Sequence, residues 1–214
     1  MSRLLISMML SGLVLLIAAP MTFAEPNLEN GKTKFVVCEA CHMKTGGGSK
    51  EIGAPRIAGQ NATYEKRQLE NFKAGIRGTK PEDSFGAVMR PMALTLPTEQ
   101  DIVDVIAYCD TLKPDILPDT VQGGNVAKGK ETYVTCAACH GDDGKGIDVL
   151  SAPRVAGIPD WYLERQIRSF DTGVRGTHGE DVFGRQMGVI QKLMLKDDQS
   201  ILDVIAYINT LPKE

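Results

Sequence analysis

Beyond its first two dozen residues the chain has no apolar run long enough to cross a bilayer, which excludes a membrane span in residues 25–214. It also lacks segments that alternate apolar and polar residues, so no β-sheet is expected. Basic residues are not in excess. There are 24 Lys and Arg against 27 Asp and Glu, a formal net charge of −3, which argues against nucleic acid as a partner. The charge is uneven: residues 25–113 carry 12 basic and 12 acidic side chains, and residues 114–214 carry 11 and 15. So modest an asymmetry supports at most a weak orientation at a partner's surface.

Cysteine and histidine are scarce, five and three in the chain. Six of these eight fall in two copies of one pentapeptide, Cys38-Glu39-Ala40-Cys41-His42 and Cys136-Ala137-Ala138-Cys139-His140. Cys-x-x-Cys-His is the attachment signature of c-type haem. Both cysteines form thioethers with the haem vinyl groups, and the histidine becomes an axial ligand of the iron. A thioredoxin-like pair would need a βαβ context, which is not visible. Half a zinc site would not explain why histidine follows the second cysteine both times. Two copies imply two covalent haem c groups, and two haems on one chain imply electron transfer. With four cysteines so used, no disulfide framework remains. Cys109, whose counterpart in the second half is Ile208, reads as a small buried hydrophobe, with a reactive thiol or an intermolecular disulfide as the alternative. His178 has Lys80 as its counterpart and reads as a surface-loop residue.

Residues 1–24 read as a secretory signal: Arg3, an apolar run from Leu4 to Ala19, Pro20, and the small residue Ala24 before the expected cleavage. Residues 25–214 are then expected in the periplasm, where c-type haem is attached.

Self-similarity extends far beyond the motifs. At an offset of 98, Gly31, Phe35 and Pro55-Arg56 match Gly129, Tyr133 and Pro153-Arg154. At the same offset Tyr64, Arg67 and Gln68 match Tyr162, Arg165 and Gln166, and Arg77-Gly78-Thr79 matches Arg175-Gly176-Thr177. After one inserted residue, Asp104 to Tyr108 matches Asp203 to Tyr207 at offset 99. The chain therefore divides into two domains, 25–113 and 125–214, with a linker over 114–124. Proline is expected to stiffen the start of that linker and glycine to loosen its end. Helices are expected over 28–38 and 126–136, 61–73 and 159–171, and 98–112 and 197–211, giving an all-α fold. Domains this small bury little by themselves, so each is expected to wrap around its haem.

Histidine fills one axial position, and methionine is a common second ligand in electron-transfer cytochromes. The repeat selects Met89 and Met187, each 47 residues after its histidine. Met92 has no methionine counterpart and, like Met194, reads as core filler, while remaining the rival in the first domain; Met43 lies too close to its own histidine to reach the opposite face. Pro55 and Pro153 each lie 13 residues after a histidine and are candidates to shape the loop that orients it. Arg56 and Arg154 are candidates to meet haem propionates, to lie between the domains, or to be solvated. Tyr64 and Tyr162 either reach a propionate or cap the core.

Two class I cytochrome c domains in tandem behind an export signal resemble the dihaem cytochrome c4 family. The Gly-x-x-x-Phe/Tyr approach to each motif, the Ala-Pro-Arg-x-Ala-Gly segments, Met89 and Met187 carry the resemblance, which covers all of residues 25–214. It implies helical domains whose haems face each other near the interface. It also implies electron delivery from a quinol-oxidising complex or dehydrogenase to a terminal oxidase, with loose membrane association in some members. Cytochrome subunits of flavocytochrome and thiosulfate-oxidising systems resemble the same family, so an electron-accepting subunit is the alternative. A catalytic dihaem peroxidase needs an open iron, which the paired methionines argue against.

Overall fold

A computed structural model describes residues 25–213; the expected signal segment lies outside the described residues. These residues form eight α-helices and one 3-10 turn, with a single isolated bridge between Ser49 and Ala54 in place of any sheet. The fold is all-α, two helical domains in tandem, as the patterning implied.

In the first domain the helices are α1 (Leu28–His42), α2 (Ala62–Ala74), α3 (Ser84–Leu94) and α4 (Glu99–Asp110). In the second they are α5 (Val126–His140), α6 (Asp160–Asp171), α7 (Val182–Met194) and α8 (Asp198–Ile208). The 3-10 turn, Asp148–Leu150, precedes α6.

The first and last helices of each domain cross closely, and glycine permits the crossing. A Cβ on Gly31 would stand 2.1 Å from the Asp104 carbonyl oxygen, and one on Gly129 would stand 1.9 Å from that of Asp203. The same two aspartates fasten the helix starts. Asp104 Oδ1 accepts from the Asn27 amide at 2.8 Å, and Asp203 Oδ1 accepts from the Asn125 amide at 2.7 Å. Asn27 and Asn125 in turn cap α1 and α5 with their side chains. Just along the crossing, Phe35 meets Tyr108 with ring centroids 5.4 Å apart, and Tyr133 meets Tyr207 at 5.2 Å.

Apolar stripes on the closing helices complete both cores. Ile102, Val105, Ile106 and Cys109 of α4 pack with Phe35 and Leu96. Ile201, Val204, Ile205 and Ile208 of α8 pack with Tyr133, Leu163, Ile167 and Leu195. Thr98 and Asp101 form a capping box, as the sequence suggests; Asp197 gains one too, through Ser200.

Two findings depart from the expectations. The opening helices run on through the whole Cys-x-x-Cys-His motif and end at the histidine. Helices α3 and α7 were not expected, because Gly86 and Pro91 interrupt one pattern and Gly184 and Gly188 the other. They form because Asp83 and Asp181 cap them, accepting from the amides of Gly86 and Gly184, and because they pack on α2 and α6.

The linker is held to the second domain by side chains. The buried Asp160 carboxylate accepts from the Thr120 and Val121 amides at 2.6 and 2.7 Å. Gly124 serves close approach: a Cβ there would lie 2.1 Å from the Leu202 carbonyl oxygen.

Candidate haem sites

Each attachment motif occupies the end of a helix, so its side chains are placed by the crossing just described. Cys38 and Cys41 are half-buried on α1 and His42 is buried at its end; Cys136 and His140 are half-buried on α5 and Cys139 is exposed. Burial pushes the Cys38 and Cys136 thiols up to about 11.

The histidine rings are oriented by backbone. His42 Nδ1–H donates to the Pro55 carbonyl at 2.7 Å, and His140 Nδ1–H donates to that of Pro153 at 2.9 Å. This fixes the tautomer and leaves Nε2 as the basic nitrogen. Desolvation lowers the pKa of both rings and favours the neutral form, against the opposing pull of the proline carbonyls. A thiol pair and an imidazole with free Nε2, on one helix end, fit a covalent haem. So do buried guanidinium nitrogens at the domain interface, which suit an anionic group such as a propionate. The Nε atoms of Arg67, Arg77, Arg165 and Arg175, and Nη1 of Arg67, have no hydrogen-bond partner among the described residues.

Met89 and Met187 are half-buried on α3 and α7, which pack on the middle helices. Met92 and Met194 are half-buried further along the same helices.

The backbone just after His42 is strained. Met43 has φ 64° and ψ 159°, a region suited to glycine, and its counterpart is Gly141 with φ 77° and ψ 155°.

Arg56 is buried between the domains. Its Nε donates to the Ala58 carbonyl at 2.8 Å, and Nη1 donates to the carbonyls of Lys213 at 2.9 Å and Gly157 at 3.2 Å. Burial, with Arg154 nearby, pushes its pKa down to about 10. Arg154 is half-buried and exchanges two backbone bonds with Gln60: its amide donates to Oε1 at 2.7 Å and its carbonyl accepts from Nε2 at 3.0 Å. The loop that orients His42 thus touches the loop that orients His140.

Tyr64 and Tyr162 belong to a two-fold network across the interface. Tyr64 Oη accepts from Arg175 at 3.1 Å, and Tyr162 Oη accepts from Arg77 at 3.4 Å. Burial opposes ionisation of Tyr64, but Arg175, Arg77 and Arg67 together hold its hydroxyl below the ordinary tyrosine value. Gln68 and Gln166 tie the same arginines together. Sequence reasoning gave these two glutamines and Arg77 and Arg175 no role. Their signal was identity across the repeat at polar positions. Around them, Arg67 stacks over Phe183 at 4.3 Å and Arg165 over Phe85 at 3.9 Å, each reaching into the other domain. His178 and Lys80 lie on exposed loops.

The cytochrome c family model matches residues 28–113 and again 126–212. The chain is 30% identical to cytochrome c4 of Stutzerimonas stutzeri over 96% of this chain and 98% of that protein. It is 29% identical to a thiosulfate dehydrogenase electron acceptor of Stutzerimonas stutzeri strain A1501, over 81% of this chain and 79% of the other. The crystal structure of reduced recombinant cytochrome c4 from Pseudomonas stutzeri superposes with a TM-score of 0.69 at 26% identity, covering 88% of this chain and all of that one. The doubled motif, the doubled helical domain and this end-to-end likeness agree, and the chain belongs to the dihaem cytochrome c4 family, electron carriers with two covalent haem c groups.

Proposed function

We propose that the chain is a periplasmic carrier that passes single electrons between respiratory partners, from a quinol-oxidising complex or dehydrogenase toward a terminal oxidase. In this reading His42 and Met89 hold the first iron, and His140 and Met187 the second. Cys38 and Cys41 anchor one macrocycle, and Cys136 and Cys139 the other. Export would follow cleavage after Ala24, leaving domains 25–113 and 125–214. Among the described residues no helix is long and apolar enough to cross a membrane.

When bound, each haem supplies a reversible one-electron iron couple. The chain's own residues do the rest. The Pro55 and Pro153 carbonyls hold the imidazoles in register. Sulfur ligation by Met89 and Met187 would raise the potential and close the iron to small ligands. The observation that carries the reading is the direct contact between the two histidine-orienting loops through Gln60 and Arg154, which favours electron passage between the halves.

Spectra of the haem-loaded protein test it, oxidised and dithionite-reduced, with and without carbon monoxide. Two low-spin haems per chain that do not bind carbon monoxide are expected. A high-spin component or prompt carbon monoxide binding would overturn the closed His/Met assignment.

A second reading, an electron-accepting partner of a dehydrogenase, is favoured by the likeness to the thiosulfate dehydrogenase electron acceptor. Stopped-flow reduction by a thiosulfate dehydrogenase, with co-purification, separates the two.

A further inference from the structure

The two halves differ at one contact beside the first haem-attachment cysteine. In the second domain Leu163 of α6 and Ile208 of α8 are buried together in the core, with Cys136 packed against that cluster. At the matching positions of the first domain stand two ionisable groups, Glu65 of α2 and Cys109 of α4. Glu65, Cys109 and Cys38 are electrostatic neighbours. A half-buried carboxylate stands where the second domain has a buried leucine, beside a cysteine of the first attachment motif.

The surroundings of Glu65 do not neutralise it. Among the described residues its carboxylate has no hydrogen-bond donor and no ion-pair partner. The elements packed most closely on α2 are α3, α4 and the 3-10 turn, and Phe183 of α7 reaches its Arg67. From α4 it faces Cys109 and Asp110, one neutral and one acidic. From α1 it faces Cys38. On α3, Arg90 stands beside Gly75 at the far end of α2. On the 3-10 turn, Asp148 bonds Thr63. On its own helix Lys66 pairs with Glu70 and Glu99. Burial pushes the Glu65 carboxyl well above the ordinary carboxylate range, and Asp110 adds to the push.

We propose that Glu65 is a proton-binding site coupled to the first haem, so that the two haems of this chain respond differently to pH. The coupling is electrostatic. Ferric iron carries one more positive charge than ferrous iron, so a nearby carboxylate favours the ferric state and its protonated form favours the ferrous state. An electron delivered by the redox partner reduces Fe(III) to Fe(II), and a proton from solvent converts the Glu65 carboxylate to the acid. Oxidation reverses both transfers. The first haem's potential therefore falls as pH rises through the Glu65 titration. Leu163 gives the second haem no such dependence.

This inference rests on the dihaem-carrier reading. The test is potentiometric titration of the full haem-loaded protein across the neutral and mildly acid range, for wild type, Glu65→Leu and Glu65→Gln. In the wild type one midpoint should fall with pH, by no more than tenfold in equilibrium constant, about 59 mV, per pH unit, and the other should stay level. Both variants should remove that slope. Redox-difference infrared spectra should show a protonated-carboxyl band that appears on reduction and is lost in Glu65→Gln. If the wild type lacks two reversible one-electron steps, the carrier reading fails and the inference with it. If there are two steps and neither depends on pH, or the slope survives in both variants, the carrier reading stands and the Glu65 assignment is overturned.

Discussion

Arg77 of the first domain donates to Gln166 Oε1 of the second at 2.9 Å, and Arg175 of the second donates to Gln68 Oε1 of the first at 2.7 Å. Each glutamine oxygen also accepts from the arginine of its own domain, at 2.8 Å for Gln68 and 2.9 Å for Gln166. One amide oxygen has two lone pairs, and both are used. Replacing Gln68 with Leu removes the acceptor for two guanidinium groups, Arg175 buried and Arg77 half-buried. The expected cost is about 1.5–3 kcal/mol for each hydrogen bond to a charged group. Calorimetry should then show the unfolding of the two halves drawing apart, with the interface weakened.

Met89→Ala and Met187→Ala test the axial assignments one iron at a time. Each variant should open a single haem, so that carbon monoxide binds half the haem in the reduced protein. The midpoint of the opened haem should fall, because methionine ligation raises it. Met92→Ala should leave carbon monoxide binding unchanged. The reverse outcome would move the first-domain ligand to Met92.

Met43 adopts φ 64° and ψ 159°, where Gly141 stands in the second half. A side chain in that region costs about 1–3 kcal/mol. Met43→Gly should therefore stabilise the first domain, by an amount at or below that range once the added freedom of the unfolded chain is subtracted. Chemical denaturation of the haem-loaded protein measures it.

Asp160 ties the linker to the second domain. Burial by itself would raise its carboxyl pKa, but hydrogen bonds from the Val121, Thr120 and Trp161 amides outweigh it and hold the value below the usual carboxylate range. A depressed folded-state value means that this stabilisation is complete well above the unfolded value of about 3.9 and is lost as pH falls through the folded value. Asp160→Ala should free residues 114–124 at neutral pH, and limited proteolysis should cut there faster than in wild type. In the wild type the same cutting should accelerate only in acid.

The sequence by itself determined the haem motifs, the two-domain repeat, the closing helices and the tie to a family. Each is written in short-range spacing: two residues between cysteines, three or four between stripe positions, a constant offset between halves. Helices α3 and α7 escaped that reading, since Pro91 and the internal glycines break the pattern while caps and packing restore the helix. Only the tertiary structure turned Pro55 and Pro153 from loop-shaping candidates into the carbonyls that orient the histidines. It also placed Arg56 between the domains, ran Gln60 to Arg154, and built a four-cornered network from Arg77, Arg175, Gln68 and Gln166. These partners mostly lie in different domains, roughly a hundred residues apart along the chain. Local periodicity carries no record of such distances. What joins them is the two-fold relation between two copies of one fold, which sets a side chain of each domain against the backbone or side chains of the other.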